Sequence, residues 1–154
     1  MTSDEIESFF WDKVPKSWFL GRPTIELDDE EILCVGVLPG GSAIDDFRGS
    51  TRAARVDIAR EAESRFRRKV SWGVELDGRT TLFTTQSTPV MTRLRLPERA
   101  TLDTLIDAGV ARSRSEALAW CVKLVRRHEA EWLADLRTAL VNVERVRAEG
   151  PTTI

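Results

Sequence analysis

Apolar and polar residues in the first third of the chain alternate in patterns that predict a small α+β unit. Residues 4–12 form a predicted short amphipathic helix with Ile6, Phe9 and Phe10 on one side. The apolar run EILCVGVL (31–38) follows an acidic stretch and precedes Pro39-Gly40-Gly41, which is typical of a strand that ends in a turn. A loop of about ten residues is predicted next.

A longer helix and a hairpin are predicted after that loop. Ser50 or Thr51 is placed to cap a helix that runs to about Arg68. Its predicted core-facing residues are Ile58, Ala59, Ala62 and Phe66. The following strand alternates into Asp77-Gly78, the dipeptide favoured in a type I′ turn. A two-residue turn pairs Leu76 with Arg79, Val74 with Thr81, and Trp72 with Phe83, an aromatic pair expected to stabilise the hairpin.

Residues 91–125 show a second and more informative pattern. In the strand TRLRL, Thr92, Leu94 and Leu96 fall on one face, whereas Met91, Arg93 and Arg95 fall on the other. Pro97 is predicted to end this strand, and an amphipathic helix follows. Gly109 is placed to end that helix in a left-handed conformation. Ser113 and Glu116 form a capping box at the start of a second helix. The predicted order is strand, helix, tight turn, helix.

That order, with the string RSRSEAL at the start of the second helix, resembles the ribbon-helix-helix family of DNA-binding proteins, to which the Arc and MetJ repressors belong. The resemblance implies an obligate homodimer, because one isolated strand is not stable and two chains must pair their strands into a ribbon. It also implies that Leu94 and Leu96 point into the dimer core. Residues 1–89 resemble no family in this way.

The resemblance assigns DNA contacts to two groups of residues. Met91, Arg93 and Arg95 would face bases in the major groove, where arginine can donate twice to guanine. Phosphate contacts are expected at the start of the second helix, from Arg112, Ser113, Arg114 and Ser115. A simpler interpretation stays open, in which the basic residues only protect an exposed strand edge and Ser113 is only a helix cap.

The second helix is predicted to continue far beyond the resemblance. No Gly or Pro occurs between Arg112 and Gly150, and apolar residues keep a three-to-four spacing through this stretch. The extension either packs on the N-terminal unit or pairs with its twin in a dimer. The predicted division is therefore an α+β unit at 1–89, a ribbon-helix-helix module at 90–128 and a helical extension at 129–149.

Composition and charge change this picture little. The 154 residues are 42% hydrophobic and carry a net charge of −2, which fits a folded protein. The charge is unevenly spread, however, since residues 91–128 hold eight Lys and Arg against four Asp and Glu. The acidic N-terminal sequence lacks the features of a secretory signal, and no apolar run reaches membrane-spanning length, so a cytoplasmic protein without membrane contact is expected.

Candidate chemistry is sparse. The single histidine, His128, has no neighbouring nucleophile or carboxylate pair that would indicate catalysis, so no enzyme, metal site or cofactor is predicted. Cys34 and Cys121 lie in apolar segments and are interpreted as buried small hydrophobic residues rather than a disulfide. Pro39 to Ser42 lacks the glycine spacing and lysine of a phosphate loop, so a turn is expected there.

The sequence thus predicts a homodimeric transcriptional regulator that binds double-stranded DNA, with an N-terminal unit that tunes it through a protein partner or effector. The alternative is a dimeric protein-interaction module, antitoxin-like or scaffold, in which the ribbon-helix-helix mainly dimerises.

Overall fold

The computed structural model describes residues 2–84 and 86–151. The described residues form six helices and one four-stranded sheet, so the predicted mixed α+β class is confirmed. The chain divides into two compact units, Met1–Val90 and Met91–Ile154, here called the N-terminal and C-terminal units. Among the helices in the described part of the chain, none combines the length and apolar character needed to cross a bilayer.

The N-terminal unit packs three helices with the sheet. In chain order its elements are α1 (Ser3–Lys13), β1 (Thr24–Leu27), β2 (Glu31–Val37), α2 (Ile44–Ser50), α3 (Arg52–Phe66), β3 (Lys69–Leu76) and β4 (Arg79–Leu82). The strands lie side by side in the order β1-β2-β3-β4. The two outer pairs are antiparallel, whereas β2 and β3 are parallel. A parallel pair requires a crossover connection, which α2 and α3 supply.

The hairpin of β3 and β4 follows the predicted register. Asp77 and Gly78 both have positive φ, 51° and 74°, as a type I′ turn requires. The Leu76–Arg79 and Val74–Thr81 pairs are confirmed. Just beyond β4, Phe83 N donates to Trp72 O at 2.7 Å, which continues the same alignment. The ring of Phe83 also packs on Phe47, and the ring of Trp72 packs on Phe10 and Trp18.

The core of the N-terminal unit contains fourteen buried hydrophobic residues among those described. The buried residues of α1 are Ile6, Phe9 and Phe10, and those of α3 include the predicted Ile58, Ala62 and Phe66. Rings meet edge to face across this core, as between Phe9 and Phe66 at 5.3 Å between centroids. Arg55 is buried on α3 as well, which the apolar pattern did not predict.

Two elements of this unit were not predicted. The expected loop after Pro39 contains α2, in which Asp45 and Asp46 lie in the first turn and complement the helix dipole. The four-residue strand β1 was the other unpredicted element. It pairs with β2 across a turn in which Asp28 Oδ1 accepts hydrogen bonds from the N–H groups of Glu30 and Glu31 at 2.9 and 2.8 Å. These bonds lower the pKa of Asp28.

The C-terminal unit consists of helices. Its elements are α4 (Leu96–Asp107), α5 (Arg114–His128) and α6 (Ala130–Glu149). The prediction of one unbroken helix from the capping box to residue 149 was wrong, because Glu129 leaves helical geometry at φ −113° and ψ 28°. Hydrogen bonds continue on both sides of this bend, from Glu129 N to Val125 O and from Leu133 N to Glu129 O. The two helices are therefore separated by a single residue.

The predicted strand is not formed within the single chain. Residues 91–95 belong to neither a helix nor a strand, and Leu96 is the first residue of α4 instead of the last residue of a strand. Pro97 lies in the first helical turn, where its missing N–H removes no intrahelical hydrogen bond. A ribbon strand would pair only with a second chain, so the dimeric module stays a prediction.

Candidate nucleic-acid interface

A tight turn joins α4 to α5. Gly109 has φ 76°, a left-handed conformation that favours glycine. Val110 N donates to Leu105 O at 2.9 Å and Gly109 N donates to Ile106 O at 3.0 Å. This pair of bonds is a Schellman motif, which satisfies the last carbonyls of α4 and ends the helix at the predicted glycine.

A small apolar cluster holds the two helices together. Its buried residues are Leu102 on α4, Ala111 in the turn and Ala117 on α5. Leu94, Leu105, Leu118 and Cys121 are partly buried against them. Since Leu94 belongs to this cluster, the segment that precedes α4 is anchored to the helix pair.

The exposed residues around Leu94 include all three predicted base contacts. Met91 is 92% exposed, and Arg93 and Arg95 are exposed on either side of Leu94. Arg99 Nη1 donates to the carbonyl oxygen of Leu94 and so fixes the backbone at this point. The two arginines therefore extend into solvent from an anchored segment. Thr92 and Leu96, which were predicted to face a dimer core, are exposed in the single chain.

The start of α5 is capped nearly as predicted. Ser113 Oγ accepts a hydrogen bond from Glu116 N at 3.1 Å, which satisfies a free donor of the first turn. The Glu116 carboxylate accepts from Arg112 N at 2.8 Å, one residue before the cap, rather than from Ser113 N. Hydrogen bonds from the backbone and side chain of Arg112 lower the pKa of Glu116.

Arg114, a predicted phosphate contact, has a partner within the chain. Its Nε and Nη2 donate to the two carboxylate oxygens of Asp103, both at 2.9 Å. This pair raises the pKa of Arg114 and lowers the pKa of Asp103. Because Asp103 lies on α4, the contact fastens the first turn of α5 to the preceding helix.

The structure thus places the predicted residues in two groups. Met91, Arg93 and Arg95 lie in the segment before α4, and residues 112–115 lie at the N-terminus of α5. Arg99 and Asp103 were not predicted to act here. Nothing in the sequence indicates their partners, because the Arg114–Asp103 pair joins residues eleven positions apart on different helices.

The two cysteines and the histidine differ in burial. Cys34 is fully buried, as predicted, and burial raises the pKa of its thiol to about 12. Cys121 is only half-buried, and both thiols are free of disulfide bonds. His128 is exposed at the end of α5. Within residues 2–84 and 86–151, no three His, Cys, Asp or Glu side chains come together as possible metal ligands.

Comparison with known proteins divides the chain in a similar place. Residues 4–82 match the family model of the Rv1265-like protein N-terminal domain, and residues 95–147 match that of the Mb1296 C-terminal domain. The chain belongs to the Rv1265-like family. Met91 and Arg93 lie between the two matched ranges, whereas Arg95 and residues 112–115 lie within the second.

Several mycobacterial members of the Rv1265-like family are close in sequence. The uncharacterized proteins Rv1265 and MT1303 of Mycobacterium tuberculosis, strains H37Rv and CDC 1551, and Mb1296 of Mycobacterium bovis are each 52% identical over 155 residues. The alignments cover 93% of this chain and 69% of each relative. No solved structure matches the chain. These names state no activity or ligand.

Proposed function

We propose that the protein is a homodimeric, sequence-specific transcriptional regulator, in which residues 91–95 of two chains pair into a β-ribbon that reads the DNA major groove. The alternation around Leu94 carries this proposal. Leu94 packs on the helix pair while Arg93 and Arg95 are exposed, directly before α4, the Schellman turn and the capped start of α5. This alternation favours a strand with one basic face and one apolar face.

The small core of the C-terminal unit supports dimerisation. Three hydrophobic residues are buried in its cluster, against fourteen in the N-terminal core, among the residues described. Large apolar side chains are exposed instead, with Leu96 at 70%, Val122 at 63% and Val125 at 48%. A helix pair with so little buried apolar surface gains stability from a partner, and a second copy would cover the same residues on both chains.

The chemistry of the two candidate groups suits DNA. Arg93 and Arg95 make no ion pair among the described residues, so their guanidinium groups are free to donate to guanine O6 and N7. The N-terminus of α5 combines free N–H groups with the positive end of the helix dipole, which favours a phosphate. The side chain of Arg112 beside it is 93% exposed.

Selection from random double-stranded DNA tests this function. The full chain is mixed with a random library, bound fragments are sequenced, and affinity for the selected site and a scrambled site is measured at several salt concentrations. Enrichment of a two-fold symmetric site, with affinity that falls steeply as salt rises, supports the regulator. Weak binding that is uniform across sequences would overturn sequence-specific recognition.

The alternative function, a protein-interaction module, is favoured by one observation. Helix α6 has no buried residue, and it exposes large apolar side chains that include Trp132 at 56%, Leu140 at 58% and Val141 at 64%. An apolar helix of this kind is suited to pack lengthwise on another helix. Absence of an enriched DNA site, together with a stable dimer in solution, would make this function the leading one.

A further inference from the structure

The N-terminal unit contains a basic cavity that the proposed DNA contacts do not use. Its volume is about 610 Å³. Three arginines line it, Arg48 near the end of α2 and Arg52 and Arg55 on α3, and Trp72 and Phe83 form an aromatic wall. Because three arginines share one cavity, their positive charges need nearby anions or acceptors for balance.

Arg55 is the most informative of the three. It is only 7% exposed. Its Nε donates to Thr51 Oγ1 at 3.0 Å and its Nη2 donates to Arg48 O at 2.7 Å, and both acceptors are neutral. Burial and the nearby charges of Arg48 and Arg52 lower the pKa of Arg55. A buried cation without a counter-charge is destabilising, so a bound anion would stabilise this site.

The other groups of the cavity do not supply that counter-charge. Among the ion pairs of the described residues, none includes Arg48, Arg52 or Arg55. One carboxylate, that of Asp45, lines the cavity against the three arginines. The arginines are thus in excess.

The wall of the cavity is apolar and aromatic. The guanidinium carbons of Arg55 and Arg48 lie 4.8 and 5.5 Å from the centroid of the Phe83 ring, which orients these cations without neutralising them. Trp72 also lines the cavity, and its indole N–H is buried without an acceptor among the described residues. Val56, Ala59 and Val70 complete the apolar lining.

We propose that this cavity binds a small organic anion, a phosphate or carboxylate carried on an apolar body. Arg52 holds the anionic head together with Arg55, whose bonds to Thr51 and Arg48 use two of its five N–H groups and leave the others for the anion. The apolar body lies against Phe83 and the neighbouring aliphatic side chains. This inference does not depend on DNA binding.

Calorimetric titration of the full chain, without DNA, tests the ligand class. Phenyl phosphate and benzoate are the probes, and inorganic phosphate and neutral benzyl alcohol are the comparisons. At least one aromatic anion is expected to bind about tenfold or more tightly than inorganic phosphate, a difference of about 1.4 kcal/mol, and benzyl alcohol is expected not to bind. The tighter of the two aromatic anions identifies the preferred head group. If neither aromatic anion gives a heat of binding at millimolar concentration, the proposal is overturned. It is also overturned if benzyl alcohol binds as tightly as the aromatic anions.

A matched pair of variants tests the location. Arg52→Ala removes an exposed arginine of the cavity, so the fold is expected to persist. Arg60→Ala makes the same charge change on the same helix, but its exposed side chain lies outside the cavity. Binding of the preferred probe is expected to weaken about tenfold in Arg52→Ala and to stay within about twofold in Arg60→Ala. Equal losses would indicate general charge attraction and overturn the assignment of the site.

Discussion

Arg114 donates two hydrogen bonds of equal length to Asp103, 2.9 Å from Nε to Oδ1 and 2.9 Å from Nη2 to Oδ2. The pair joins the first turn of α5 to α4. It also bears on the proposed phosphate contact, because a guanidinium held by a carboxylate within the chain has fewer donors left for DNA.

Asp103→Asn is therefore expected to strengthen DNA binding. The change releases Arg114 and removes a negative charge close to the expected phosphate, so affinity for selected and scrambled DNA should rise together. One added phosphate contact steepens the slope of log affinity against log salt by about 0.9. Asp107→Asn, on the same helix, is the charge-matched control. A slope that is the same for both variants and the wild type would remove Arg114 from the phosphate-binding group.

Acid is expected to weaken the start of α5. The folded-state pKa of Glu116 is below its usual 4.5 because Arg112 donates to its carboxylate. The resulting stabilisation is present above pH 4.5 and is lost as pH falls through the lower folded value. Between pH 6 and pH 3 the melting temperature of Glu116→Gln should fall less than that of the wild type, as measured by circular dichroism. Parallel curves for the two proteins would contradict this linkage.

The features that the sequence predicted are mainly local ones. Asp77-Gly78 specifies the type I′ turn and hence the hairpin register, and Ser113 caps the helix that begins at the next residue. Gly109 ends α4 because glycine, which has no Cβ, adopts the left-handed conformation with little strain. In each case, neighbouring residues determine the geometry.

The features that were missed depend on contacts between distant residues. In the sequence Arg55 looks like a surface residue of α3, but in the fold it is buried and its guanidinium lies 4.8 Å from the ring centroid of the distant Phe83. The partner of Arg114 was likewise unpredictable, since no local pattern pairs it with Asp103. The ribbon presents a different difficulty, because its hydrogen bonds would lie between two chains and the single chain cannot form them.

Close packing at Gly36 is expected to make that position intolerant of any side chain. A Cβ there would lie 2.2 Å from Cγ of Phe19, whose ring is buried and packs against Phe47. Gly36→Ala should therefore destabilise the N-terminal unit by about 1–3 kcal/mol, as overpacking in a core typically does. In thermal unfolding this appears as a clear drop in melting temperature.

Gly21→Ala is the control for this change, because a Cβ at Gly21 meets no atom within 4 Å. Its melting temperature should stay close to that of the wild type. If both alanine variants were equally stable, the ring of Phe19 would have to move freely, contrary to its tight packing.

The proposed dimer is expected to depend on Leu96. This side chain is 70% exposed in the single chain and lies at the N-terminus of α4, where an acidic residue is tolerated. Leu96→Asp should therefore fold, yet dimerise poorly, because the charge would be buried in the dimer interface. Leu20→Asp, at a site that is 67% exposed in the N-terminal unit, should leave the dimer intact. Sedimentation velocity distinguishes these outcomes. A wild type that is monomeric at micromolar concentration would contradict the proposed ribbon.

Recognition itself is expected to depend on Arg93 and Arg95. Both are exposed beside the anchored Leu94, so replacing either with alanine should barely change stability. Each replacement should cost about 1–3 kcal/mol in binding to the selected DNA site and relax the preference at particular base pairs. Arg79→Ala, which removes an exposed arginine of the hairpin, should leave base preference unchanged. Titration of the selected site and its single-base variants measures both effects. If both Arg93→Ala and Arg95→Ala bind as the wild type does, the two arginines only protect a strand edge, and the interaction module becomes the better account of this unit.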